Sequence, residues 1–110
     1  MIPARLVFTR AARADLAVIA HHIQQNSGSS KSALRAVASI RAAADSLCEF
    51  PLQGKDRSDL VPGIRSWPAG KAIIFYSVGG ERETVVIRAI FYGGQNYDAI
   101  LAERRKPETE

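Results

Sequence analysis

Arg65 and Trp67 stand two apart in "GIRSWPAG", and Arg88 and Tyr92 stand four apart in "VVIRAIFYGG", with Tyr97 following shortly after. In extended chain those spacings put Arg65 with Trp67, and Arg88 with Tyr92, on one face of their respective strands. Arginine offers a planar fork of donors that suits phosphate, and an aromatic ring can stack a nucleobase. Cleavage of RNA through its 2′-hydroxyl would also need a general base, an acid and a stabiliser of the developing negative charge. Arg65 and Arg88 have the charge for the last role. A tyrosine, with a pKa of about 10, needs strong perturbation to act as a base at neutral pH. No histidine or carboxylate lies within these strand segments. The alternative reading of the same residues is a tryptophan packed at a sheet edge beside solvated arginines.

The remaining reactive side chains say less. His21 and His22 are adjacent, and on a helix successive positions point too far apart to chelate one ion as an i, i+4 pair would. His22 reads as a boundary residue beside Ile19 and Ile23. Cys48 is the single cysteine, which excludes an intramolecular disulfide and a multi-cysteine zinc site. Its expected role is that of a small buried hydrophobe. No cofactor or metal is expected.

These residues have to be positioned by elements that the hydrophobic pattern reveals. "ARLVFT" alternates, with Leu6 and Phe8 opposite Arg5 and Val7, as a short strand does. Thr9 then caps a helix bearing Ala12, Leu16, Ile19 and Ile23 on one stripe. "NSGSS" ends it at Gly28 and starts a second helix with Ala33, Val37, Ile40, Ala44 and Leu47 on its stripe. So short a connection predicts an antiparallel helical hairpin. Pro51, Gly54, Pro62 and Gly63 make the next stretch a loop. Three strands follow, at about Ile64–Trp67, Lys71–Val78 and Thr84–Tyr92, joined by glycine-containing links as an antiparallel meander. "QNYDAILAERR" adds a short final helix. The expected class is α+β, in one domain over residues 1–110 with a frayed tail from about 105.

The last two strands are apolar on both faces. Lys71–Val78 offers Ile73 and Phe75 to one side and Ala72, Ile74, Tyr76 and Val78 to the other. Strict alternation in Thr84–Tyr92 sets Val85, Ile87, Ala89 and Phe91 against Val86, Ile90 and Tyr92. Two helices cover one face of a small sheet. The other face is either covered by a third element, such as the C-terminal helix, or kept as an apolar groove for a partner.

The 110 residues carry a net charge of +4 and are 46% hydrophobic, an ordinary globular composition leaning toward nucleic acid or an acidic protein partner. Nothing resembles a signal peptide or a membrane span, so a soluble cytoplasmic protein with no membrane contact is expected.

The order of parts resembles the ParE side of the ParE/RelE toxin superfamily of type II toxin–antitoxin modules. The residues that carry the resemblance are "ADLAVIAHHI" (Ala14 to Ile23), "FPLQGKDRSDLVPGIRSWPAGKAIIFYSV" (Phe50 to Val78) and "VVIRAIFYGGQNYDAIL" (Val85 to Leu101). His22 stands where the family often has an aromatic residue, and Tyr92 where it has a strand-end histidine. The "G.RD" that follows has become Gly93, Gly94, Gln95 and Asn96. RelE-like ribonucleases place a catalytic arginine in that last segment, yet no basic residue occurs from Tyr92 through Ala102. The resemblance implies a non-enzymatic inhibitor of DNA gyrase, neutralised by a ParD-like ribbon-helix-helix antitoxin and meeting operator DNA only through it. Leu16, Ile19, Ile23, Ile74 and Tyr76 are expected to face the antitoxin; Arg65, Trp67, Arg88, Tyr92 and Tyr97 are expected to face the target. The alternative is a RelE-like ribosome-dependent mRNA endoribonuclease using Arg65, Arg88, Tyr92 and Tyr97.

Overall fold

The computed structural model describes residues 2–93 and 97–105, apart from the side chains of 98 and 105. The expected slot at Gly94, Gln95 and Asn96 and the tail beyond 105 lie outside the described residues. Strand β1 (Arg5–Phe8) leads to helix α1 (Arg10–Ser27) and helix α2 (Ser30–Leu47). Strands β2 (Lys55–Asp56), β3 (Arg65–Ala69), β4 (Ala72–Gly79) and β5 (Thr84–Tyr92) follow, and helix α3 (Tyr97–Arg105) ends the series.

Local chemistry sets the helix ends where the sequence places them. The Thr9 hydroxyl accepts the Ala12 N–H at 3.1 Å, and the Ser29 hydroxyl accepts the Ser32 N–H at 3.2 Å. Gly28 closes α1 at φ +68°, a left-handed value that costs glycine nothing, and its N–H bonds to the Gln24 carbonyl.

The sheet order is β1-β5-β4-β3-β2. β1 joins β5 in parallel, and every other neighbouring pair is antiparallel. Beyond shifts of one residue at the ends of β3 and β4, two features differ from the sequence reading. The loop after α2 contains the two-residue strand β2, too short to leave a periodicity. β3 runs on through Pro68 to Ala69, because β2 pairs only Arg65 and Ser66 and leaves an open edge where a missing N–H costs nothing.

The alternation expected for β5 is corrected at Arg88. Phe75 pairs with Ala89 while the next residue, Tyr76, pairs with Ile87, so Arg88 is the extra residue of a bulge. The parity of the strand therefore changes there. Val85, Ile87, Ile90 and Tyr92 face the helical hairpin, whereas Ala89 and Phe91 face the other way.

Both faces are covered. Leu16, Ile19, Ile40 and Leu47 of the hairpin pack on Ile74, Tyr76, Val85, Ile87 and Ile90. On the opposite face, Leu101 of α3 and Ile64 of the preceding loop pack on Phe75, Ala89 and Phe91, with Tyr97, Ile100, Leu60 and Val61 at the margin. Of the two explanations for a doubly apolar strand, the third covering element is the one observed.

The carboxylate of Asp15 ties the layers together. β1 ends opposite Ile87, so among the described residues no strand pairs with β5 on that side beyond the bulge. The Ile90 N–H instead donates to Asp15 Oδ2 at 2.9 Å. Arg104 of α3 donates to both oxygens of the same carboxylate, at 2.8 and 2.9 Å, and lies 5.6 Å over the Phe91 ring. Replacing Asp15 with alanine leaves a part-buried N–H unpaired and releases α3. The expected cost is roughly 1–3 kcal/mol, seen as a lower urea midpoint, together with faster tryptic cleavage at Arg104. An unchanged midpoint and cleavage rate would show that this carboxylate does not anchor the helix.

Candidate functional site

Arg65 and Tyr76 face each other across the β3–β4 pair, on the side of the sheet that carries the hairpin. Both reach the segment that follows α2. One Arg65 guanidinium nitrogen, Nη1, donates to the Gly54 carbonyl at 2.7 Å and to the Leu52 carbonyl at 3.3 Å. The Tyr76 hydroxyl donates to the Pro51 carbonyl at 2.7 Å and accepts the Gly54 N–H at 3.0 Å. Four hydrogen bonds thus fasten residues 51–54 to the central strands. Burial pushes the Tyr76 phenol above its usual pKa, which keeps the proton it donates and removes it as a base near neutral pH.

The other expected target-facing residues do not converge. Trp67 is half-buried against the hairpin-side core, and so is Tyr92, whose ring meets His22 edge-on with centroids 6.2 Å apart. Arg88 is exposed at the bulge, and its Nε donates to the Ser77 hydroxyl at 3.0 Å. Arg88 is itself the bulge residue and lines a hollow with Leu101 of α3, whereas Tyr92 packs on the hairpin side, so the two do not share a face. Tyr97 packs in the second core, 5.1 Å from Phe75 and 6.1 Å from Phe91 between ring centroids. Arg57 lies 5.9 Å over the Tyr97 ring while its fork is paired with Asp59.

The residues expected to face the antitoxin lie mostly inside the hairpin-side core. Leu16 and Ile19 are buried, and Ile74 and Tyr76 have no exposed surface at all, since they fill the space between sheet and hairpin. They offer no area to a partner in this structure; only Ile23 is half-exposed. The apolar side chains that do reach solvent on the helices are Val18 and Leu34, at 64% and 71% exposure. Their signal was present in the sequence, since both are apolar residues lying off the core stripes.

Cys48 is buried, and burial followed by the charge of Asp45 raises its pKa, so the thiol packs as a hydrophobe. His22 bonds to Asn26 one turn away. Among the described residues no three His, Cys, Asp or Glu side chains are grouped to hold a metal ion, and no helix is long and apolar enough to cross a membrane.

Residues 6–97 match the family model of the ParE toxin of type II toxin–antitoxin systems, parDE. The chain belongs to the ParE toxin family. This ParE-type toxin is 33% identical over 100 residues to toxin ParE3 of Caulobacter vibrioides, covering 91% of this chain and 97% of that one. Its fold matches a solved chain of the chromosomal ParDE system of P. aeruginosa, with a TM-score of 0.71 and 29% identity over 83% of this chain and 97% of the other. It also matches a chain of the RelBE2 toxin–antitoxin complex of Mycobacterium tuberculosis, with a TM-score of 0.63 and 26% identity over 83% and 99%. The α+β arrangement that the resemblance implies is therefore the one this ParE-family chain adopts.

The grip on residues 51–54 leaves no room at Gly54. A Cβ there would run into the Tyr76 hydroxyl, and would lie 2.7 Å from Tyr76 Cε1 and 2.8 Å from the Ser66 carbonyl oxygen. Gly54→Ala is expected to cost about 1–3 kcal/mol through overpacking. Tyr76→Phe, which strands the buried Gly54 N–H, should cost a similar roughly 1–3 kcal/mol. Urea unfolding at constant m checks both, and wild-type midpoints would mean that the segment is held by something else.

Proposed function

We propose that this ParE-family toxin acts by binding DNA gyrase and that a ParD-like antitoxin neutralises it. The observation that carries this reading is the separation of the residues a RelE-like ribonuclease would use. Arg65 is occupied by two backbone carbonyls, Arg88 and Tyr92 face opposite sides of β5, and Tyr97 belongs to the second core. Transition-state stabilisation requires donors gathered about one reacting group. An inhibitor that works by contact requires only a patch with a few well-placed anchors.

Arg88 suits that role. It is exposed at the bulge, on the sheet face that α3 partly covers, and it shares a hollow with Val61, Pro62 and Leu101. Bulges commonly re-aim a side chain in this way. Purified chain is expected to inhibit supercoiling by purified gyrase, and Arg88→Glu to reduce that potency at least about tenfold with an unchanged melting temperature. Truncation at Tyr97 is a poorer probe, since it would uncover Phe75 and Phe91. Specific new mRNA 5′ ends on translating ribosomes, lost in Arg88→Glu, would replace this reading with the ribonuclease.

For the antitoxin, the similar solved chains come from ParDE and RelBE toxin–antitoxin systems. A segment that folds on binding needs apolar anchors, and the hairpin offers Val18 and Leu34 with half-exposed Ile23. An acidic tail would also meet a chain of net charge +4. Val18→Asp is expected to weaken binding of the cognate antitoxin by about tenfold or more without changing the fold. Wild-type affinity in a folded Val18→Asp protein would move the contact off the hairpin.

A further inference from the structure

The N-terminal half of α2 and the turn between β3 and β4 flank a hollow of about 300 Å³. Ser32, Arg35 and Ser39 line it from α2, Gly70 and Lys71 from the turn, and Tyr92 from the end of β5. Ser32, Arg35 and Ser39 lie three and four apart along α2, so they share one side of the helix. Gly70 takes φ +64°, the left-handed value that closes a two-residue turn, and a Cβ there would meet nothing within 4 Å. Lys71 follows directly and is exposed in the lining of the hollow.

The charge of this hollow is unbalanced. Arg35 and Lys71 are both exposed, and no carboxylate lines the hollow among the described residues. Ion pairs elsewhere join Arg57 to Asp59 and Arg104 to Asp15. Two cations beside one cleft, with no carboxylate among its described lining residues, favour an anion there. The serine hydroxyls add donors of the right kind. The half-buried Tyr92 ring, held edge-on by His22, adds an aromatic wall.

We propose that this hollow seats a backbone phosphate of DNA. Contacts to DNA phosphates draw on this same mixture of Arg and Lys with serine and tyrosine hydroxyls. The hollow also has apolar lining at Ala36, Ile40 and Ala69, but Ile40 and Ala69 are buried, whereas the large exposed anchors that an amphipathic antitoxin segment needs stand at Val18 and Leu34, outside the lining. The choice of DNA over another phosphodiester rests on the gyrase reading, because gyrase is an enzyme that works on duplex DNA. The toxin then touches both the enzyme and the DNA on which the enzyme is working, with Arg88 and the hollow on opposite faces of the sheet.

Fluorescence anisotropy of a labelled duplex of about 20 base pairs, titrated with purified chain between about 50 and 200 mM salt, tests the site. Arg35→Gln and Lys71→Gln are each expected to weaken binding about three- to tenfold at the lowest salt and to reduce the slope of log K against log salt by about one. Lys55→Gln, exposed on β2 and outside the hollow, should leave affinity and slope unchanged. Binding to gyrase without DNA, measured in parallel, should be the same for all three variants and the wild type. Wild-type DNA affinity and slope in both hollow variants would overturn the proposal. So would preference for a single-stranded RNA of equal length, or a loss confined to an acidic antitoxin peptide. If the wild type binds DNA through the hollow but does not bind gyrase, the gyrase reading fails and the phosphate site stands.

Discussion

Strands β4 and β5 are apolar on both faces, and the architecture follows from the need to take both faces out of water. At roughly 25 cal/mol per Å² of apolar surface, large side chains such as Phe75, Ile87 and Phe91 cannot be left solvated in so small a domain. The hairpin covers the face with Ile74, Tyr76, Val85 and Ile87. The other face falls to a nine-residue helix and an irregular loop, which together bring Leu101, Tyr97 and Ile64 over the aromatic pair. A helix that short has little stability of its own. Asp15 compensates by joining α1, the unpartnered Ile90 N–H and Arg104 in one part-buried cluster. Charge-assisted bonds of this kind are stronger than neutral ones, and the double-pronged Arg104 contact also sets the direction of α3.

Arg65 and Tyr76 both hold backbone in this structure. Arg65 leads into the sheet because its guanidinium can satisfy two carbonyls of a segment that has no strand partner of its own at those positions. Tyr76 completes the arrangement as donor and acceptor at once, which only a protonated phenol can do. The outcome is a rigid connection between the end of α2 and the short strand β2, without a hydrophobic anchor at Gly54. Polar networks of this type pin one geometry, because a half-satisfied alternative would leave part-buried carbonyls and a buried N–H without partners.

The positive charge of the chain divides into two populations. Arg57, Arg65 and Arg104 are engaged by Asp59, by backbone carbonyls and by Asp15, and contribute to the fold. Arg35, Lys71 and Arg88 stand at the surface, on two different sides of the sheet. The contact mechanism proposed above draws on the second population and on exposed apolar residues such as Val18 and Leu34.

Sequence alone determined the helices, their caps, the hairpin between them, the meander and the class of the fold. These depend on periodicity and on residues within one turn of each other, such as Thr9 with Ala12 and Ser29 with Ser32. The family was also legible, because its motifs are strings of neighbours. Tertiary structure decided the rest. The bulge at Arg88 is a property of pairing with β4, so strict alternation assigned Ala89 and Ile90 to sides that the register then exchanged. Asp15 meets partners 75 and 89 residues away, and nothing local to "ADLAV" marks it as the tie between layers. Ile74 and Tyr76 looked like surplus apolar surface until the hairpin closed over them, while Val18 and Leu34 stayed outside. Burial and long-range hydrogen bonds depend on which elements come to lie together in space, and no reading of adjacent residues contains that information.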